Sequence, residues 1–126
     1  MKLLTKELLQ EIPPLYANEE KADPVVVCKF FLPCADWTWY VIEGSTRNPD
    51  GCGWGEGCDH QPLSEYDPSR HDVLFFGYVV GDYPELGYFT LSELTGLRGP
   101  LGLRLERDLY FKPCRLSDVK RQLLAA

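Results

Sequence analysis

Apolar positions along the chain follow two rhythms, helical and alternating, and the rhythm changes at proline and glycine. Near the N-terminus Leu4, Leu8, Leu9 and Ile12 share one helical face. Thr5 stands where an N-cap belongs, Glu7 falls in the first turn, and Leu4 with Leu9 has hydrophobic-staple spacing. Pro13-Pro14 ends that predicted helix. Val25 to Phe31 is β-branched and aromatic and reads as a strand. Pro33 to Asp36 is a turn, and Trp37 to Glu43 is a second strand, most economically paired with the first as an antiparallel hairpin. In it Trp37, Trp39 and Val41 alternate with Thr38, Tyr40 and Ile42, so neither face is polar and a central strand covered on both sides is predicted.

From Gly44 to Asp72 the periodicity disappears. Glycines, prolines and acids dominate, with Trp54 and Leu63 almost the only large apolar groups, and a long acidic loop or insertion is predicted. Val73 to Val80 is again apolar on both faces, Asp82-Tyr83-Pro84-Glu85 is a turn, and Gly87-Tyr88-Phe89 is a short strand. Thr90-Leu91-Ser92-Glu93 is a capping box with Phe89 and Leu94 as its staple, so a helix begins at Leu91 and stops near Leu97 or Arg98, before Gly99-Pro100. One more extended segment is predicted within Leu103 to Phe111. Ser117 is placed to cap a last helix, with Lys120 and Arg121 toward its C-terminal end. The sum is one α+β domain over residues 1–126: a four- to five-stranded, mainly antiparallel sheet with short N-terminal, central and C-terminal helices.

At 126 residues the chain is long enough for a real core. Hydrophobic residues at 44% and charged residues at 25% are ordinary globular usage. No apolar run reaches the roughly 20 residues of a membrane span, and a cytoplasmic protein is expected. The net charge of −6 lies in the first 71 residues, with 12 acids against 6 basic groups, whereas the remainder carries 7 of each. That distribution argues against a binder of phosphate backbones, which needs clustered cations. Five cysteines are an odd number, and reduced thiols are expected.

Several segments resemble a bacterial family catalogued as domain of unknown function 2958. They are Met1-Lys2-Leu3-Leu4-Thr5, Pro13-Pro14-Leu15-Tyr16, Trp37-Thr38-Trp39-Tyr40 and Leu74-Phe75-Phe76-Gly77. Glu85-Leu86-Gly87-Tyr88-Phe89, Leu91-Ser92-Glu93-Leu94, Arg98-Gly99-Pro100-Leu101-Gly102-Leu103, Glu106-Arg107-Asp108-Leu109 and Phe111-Lys112-Pro113 continue the likeness. It covers nearly the whole chain apart from the 44–72 stretch, which is longer here than the family pattern leads one to expect. The resemblance implies an accessory protein of plasmids and mobile elements, and brings no catalytic residue with it. An anti-defence role, for example inhibition of a CRISPR system, or a transfer-accessory role follows as an expectation from that setting.

Cys52, Cys58, His60 and His71 form the sharpest chemical candidate, since two thiolates and two imidazoles suit tetrahedral zinc. Their Cys-x5-Cys-x-His-x10-His spacing is not that of a zinc finger, and the competing reading is a solvated loop. A cysteine nucleophile with a histidine base is the enzymatic version of the same set. Zinc is the only cofactor implied. Trp37, Trp39, Tyr40, Tyr78, Tyr83 and Tyr88 are read as core packing, with protein contact for any that are exposed, because almost no Lys or Arg interleaves them as a nucleic-acid platform needs. Arg98, Arg104, Glu106, Arg107 and Asp108 read as an ion-pair network between the last strand and the central helix. Glu106 and Asp108 as an acid–base pair is the alternative. The predicted function is a small, acidic, non-enzymatic protein-binding module, with Trp54, Asp59, Asp82, Tyr83 and Glu85 as partner contacts. A zinc- or Cys/His-dependent enzyme using the 52–71 loop is the alternative. A protein partner is expected; a membrane and direct nucleic-acid binding are not.

Overall fold

A computed structural model describes residues 2–48 and 60–125. Among them α1 (Lys6–Glu11), β1 (Val25–Val26), β2 (Cys28–Phe31), β3 (Thr38–Arg47), β4 (Asp72–Val80) and β5 (Pro84–Thr90) come first in chain order. α2 (Leu91–Gly96), β6 (Glu106–Arg107), β7 (Cys114–Arg115) and α3 (Leu116–Ala125) follow, with 3₁₀ turns at Leu63–Glu65 and Pro100–Gly102. Five strands form one antiparallel sheet in the order β5-β4-β3-β2-β6, and β1 pairs with β7 in a separate two-stranded ribbon. The α+β architecture and the antiparallel sheet are those predicted.

Local signals fold as read. The Thr5 hydroxyl accepts the Leu8 amide at 3.2 Å and starts α1. The Thr90 hydroxyl accepts the Glu93 amide at 3.2 Å and also donates to the Glu93 carboxylate at 3.0 Å, which starts α2. The last helix departs from prediction. Ser117 does not cap it; Asp23, 94 residues earlier, accepts both the Ser117 amide (2.8 Å) and its hydroxyl (2.7 Å). Those two bonds hold the Asp23 carboxyl below the usual carboxylate range. Lys120 and Arg121 are mid-helix rather than terminal: Lys120 lies over the Tyr78 ring at 5.5 Å, and Arg121 pairs with Asp118.

The central strand is covered on both faces, as its apolar alternation predicted. On one face Cys28, Phe30, Trp39, Val41, Val73, Phe75 and Phe89 build the main core with Leu94 of α2 and Ile12. On the other, Val26, Tyr40, Ile42 and Tyr78 pack against Leu116 and Val119 of α3. β3 runs four residues past the predicted Glu43, because Gly44 to Arg47 pair with Phe75 to Asp72 of β4. The 44–72 stretch is therefore sheet at both ends. Leu63 within it is fully buried, where it packs into the main core.

Cys28 sits in that core, and burial pushes its thiol up to about 12. The unfolded chain releases this proton near pH 9, so the contribution to stability is complete below pH 9 and is lost as pH rises toward 12. Cys34 is exposed at the β2–β3 turn. Alkylation at pH 8, mapped by mass spectrometry, is expected to label Cys34 promptly and Cys28 on the order of a thousandfold more slowly. Equal rates would place Cys28 outside the core.

Candidate functional site

Among the described residues one carboxylate, that of Glu43, is buried, and it lies in the middle of the apolar sheet. Between Val41 and Glu43 the β3–β4 register shifts at a bulge, with Val41 opposite Gly77 and Glu43 opposite Phe76. The extra residue turns Glu43 onto the same side as Ile42. Glu43 is only 5% exposed, yet both its oxygens are used: one accepts the Tyr16 amide at 2.9 Å, the other the Asn18 amide at 2.7 Å. Ser45 adds a third tie, its hydroxyl accepting the Leu15 amide at 3.0 Å. The segment after Pro13-Pro14 is thus clamped to the sheet, and the clamp holds Tyr16 at a left-handed φ of 71°.

Beside this clamp lies an open groove of about 330 Å³. Tyr16, Glu19 and Lys21 line it from the N-terminal segment, Ile42 and Phe76 from the sheet, and Leu86 and Tyr88 from β5. Phe76 and Tyr88 have their rings 5.0 Å apart. Burial pushes the Tyr88 phenol up, and the neighbouring Tyr16 and the Glu43 and Glu19 carboxylates add to that shift. β5 is an edge strand: among the described residues no strand pairs with its outer side. Leu86 is 49% exposed there, and Tyr83 at the preceding tip is 81% exposed. Groove and edge are continuous through Leu86 and Tyr88.

Of the predicted partner contacts, Asp82, Tyr83 and Glu85 are exposed together at this tip, whereas Trp54 and Asp59 lie outside the described residues. Glu85 faces the side of Val79 and Trp39, away from Leu86 and Tyr88. Beneath the tip Trp37 stacks on Trp39 and closes over Gly81. The aromatic set divides: Trp39, Tyr40 and Tyr78 are core, while Trp37, Tyr83 and Tyr88 reach the surface.

Of the predicted metal set, Cys52 and Cys58 lie outside the described residues. His60 Nδ1 donates to the Thr46 carbonyl at 2.9 Å, so in the neutral ring Nε2 carries the lone pair. His71 is arranged the other way, its Nδ1 accepting the Asp67 amide at 3.0 Å, so in the neutral ring Nε2 carries the proton. Among the described residues no group of three or more His, Cys, Asp or Glu could hold a metal ion. The expected network of Arg98 through Asp108 is redistributed. Arg98 donates to the Thr95 and Leu97 carbonyls at the end of α2, Arg107 donates to the Lys2 and Leu3 carbonyls, and Asp108 pairs with Lys29 at 3.6 Å. Asp108, half of the carboxylate pair in the alternative reading, also accepts the Tyr110 amide at 2.9 Å.

Sequence reasoning missed Glu43, Tyr16 and Leu86. A signal for Glu43 was present, since it is the one carboxylate in a run whose two faces are otherwise apolar. No helix among the described residues is long and apolar enough to cross a membrane. A family model described as "Protein of unknown function (DUF2958)" matches residues 55–121, just over half of the 126. The match begins inside the long acidic stretch and leaves the N-terminal motifs outside it. No curated protein and no solved structure matches the chain.

Proposed function

The chain belongs to the family described as "Protein of unknown function (DUF2958)", and we propose that it is a small non-enzymatic protein that binds an extended segment of a partner protein along β5. The observation that carries this reading is the seven-residue edge strand beside an open groove. A sheet edge presents backbone donors and acceptors to any strand laid against it, and natural proteins usually blunt such edges. Here Pro84 and Glu85 occupy only the first two positions of the edge, Leu86 and Tyr88 follow, and the groove takes the alternate side chains of an added strand. Asp82 and Glu85 at one end of β5 favour a Lys or Arg on the partner. The anti-defence or transfer role implied by the resemblance would be exerted through such binding, by occupying a surface of a host complex.

Expression in a host with an active defence system is expected to raise plasmid or phage survival. Leu86→Lys and Tyr83→Ala, both at exposed positions, should each reduce that effect by about tenfold or more while leaving the fold intact. Unchanged defence and transfer frequencies with the wild-type protein would refute the reading. So would a folded Leu86→Lys that acts like the wild type.

A further inference from the structure

Arg98 to Arg104 is a small hairpin with features that intramolecular stability does not explain. Arg98 and Arg104 form an isolated antiparallel bridge, and the Gly99 amide donates to the Leu103 carbonyl at 2.7 Å. The Gly102 amide donates back to the Gly99 carbonyl at 3.1 Å, closing a tight turn over Gly99-Pro100-Leu101-Gly102. Proline in second place and a left-handed residue in third define a turn that normally takes Gly or Asn third, because a Cβ there crowds the backbone. Leu101 occupies the third place, at φ 64° and ψ 16°.

A strained backbone persists only where something offsets it. Leu101 is 93% exposed, so packing within the described residues does not. The root of the hairpin is firm, with Gly99 seated against Leu32 and the Pro33 carbonyl. Its flanks are cationic on an acidic chain. The Arg98 guanidinium is oriented by the Thr95 and Leu97 carbonyls, and among the described residues neither Arg98 nor Arg104 has a carboxylate within ion-pair distance.

We propose that this hairpin is a second protein-binding element, independent of the β5 edge. Leu101 is a preformed knob that enters an apolar socket on another protein, and Arg98 and Arg104 pair with carboxylates on the socket's rim. A protein fits better than a nucleic acid: the apex is aliphatic and cannot stack on bases, and two arginines are few for tracking phosphates on a chain of net charge −6. Holding the apolar anchor rigid in advance lowers the ordering cost of binding.

Two measurements on the full chain test this. Leu101→Asn accepts the left-handed conformation, so Tm is expected to rise by about 2–6 °C. A photo-crosslinking residue at position 101, expressed in bacterial cells beside a control at exposed Gln10, should label one protein at an apolar surface flanked by Asp or Glu. Arg104→Glu should cut that yield by about tenfold or more, and reversing the flanking acid to Lys on the partner should restore it. The proposal is overturned if Leu101→Asn leaves Tm unchanged or lowers it. It is equally overturned if crosslinks from position 101 do not exceed those from position 10, reach only a second copy of this chain or only nucleic acid, or ignore Arg104→Glu.

Discussion

Gly77→Ala is expected to cost at least about 3 kcal/mol of stability, a large share of what a small domain has. A Cβ on Gly77 would stand 2.0 Å from the Tyr40 carbonyl oxygen and 3.0 Å from its carbon. Both are backbone atoms of β3, the central strand, so no side chain can rotate away to make room. The closeness arises where Val41 meets Gly77 at the edge of the bulge. The control lies directly across the sheet, since Gly77 pairs with Gly87 of β5, and a Cβ on Gly87 would meet nothing within 4 Å. Gly87→Ala is expected to lie within about 0.5 kcal/mol of the wild type. Urea midpoints at unchanged m-value separate the two. A Gly77→Ala protein within 1 kcal/mol of wild type, on the order of an ordinary surface change, would show that the strands are not in this register.

The second large effect is expected at Glu43. Glu43→Ala removes the acceptor of two backbone amides at once, and hydrogen bonds to a charged acceptor contribute more than neutral ones. The released segment can rehydrate in part, because Tyr16 is exposed and Asn18 half-buried, so the expected loss is about 2–3 kcal/mol rather than the full desolvation cost. Glu43→Gln keeps one acceptor but turns an amide NH₂ toward a backbone N–H, so most of the loss should persist. Local behaviour is the sharper readout. Amide exchange over residues 14–21 is expected to quicken by about tenfold or more, while the β3 and β4 amides follow only the global change. Unchanged exchange in that segment would mean that something other than Glu43 holds the groove wall in place.

These two sites differ in how far the chain announces them. Gly77 lies in a run that its apolar residues on both faces mark as a strand, and nothing local says that this glycine touches the neighbouring backbone. Its role depends on a bulge in β3, and a bulge is invisible to a reading that assumes strict alternation. Glu43 is visible as an anomaly, but its partners Tyr16 and Asn18 come from the segment between Pro14 and Val25, for which the pattern predicts no helix or strand. The Asp23 cap of α3 is hidden for a related reason. Ser117 satisfies the local rule for a cap, and a carboxylate distant in sequence and close in space takes the position instead.

What the sequence determined by itself was set within a few residues. The Thr5 and Thr90 caps, the prolines that stop α1, the apolar faces of β2, β3 and β4, and the α+β class all rest on spacings of two to four residues. Those spacings carry their physics with them. Only the tertiary structure decided the strand order, the bulge that turns Glu43 inward, the uncovered edge of β5, and the exposure of Leu101 on its strained turn. Each of these depends on which distant segments share a surface, and that choice is made by the packing of the whole chain.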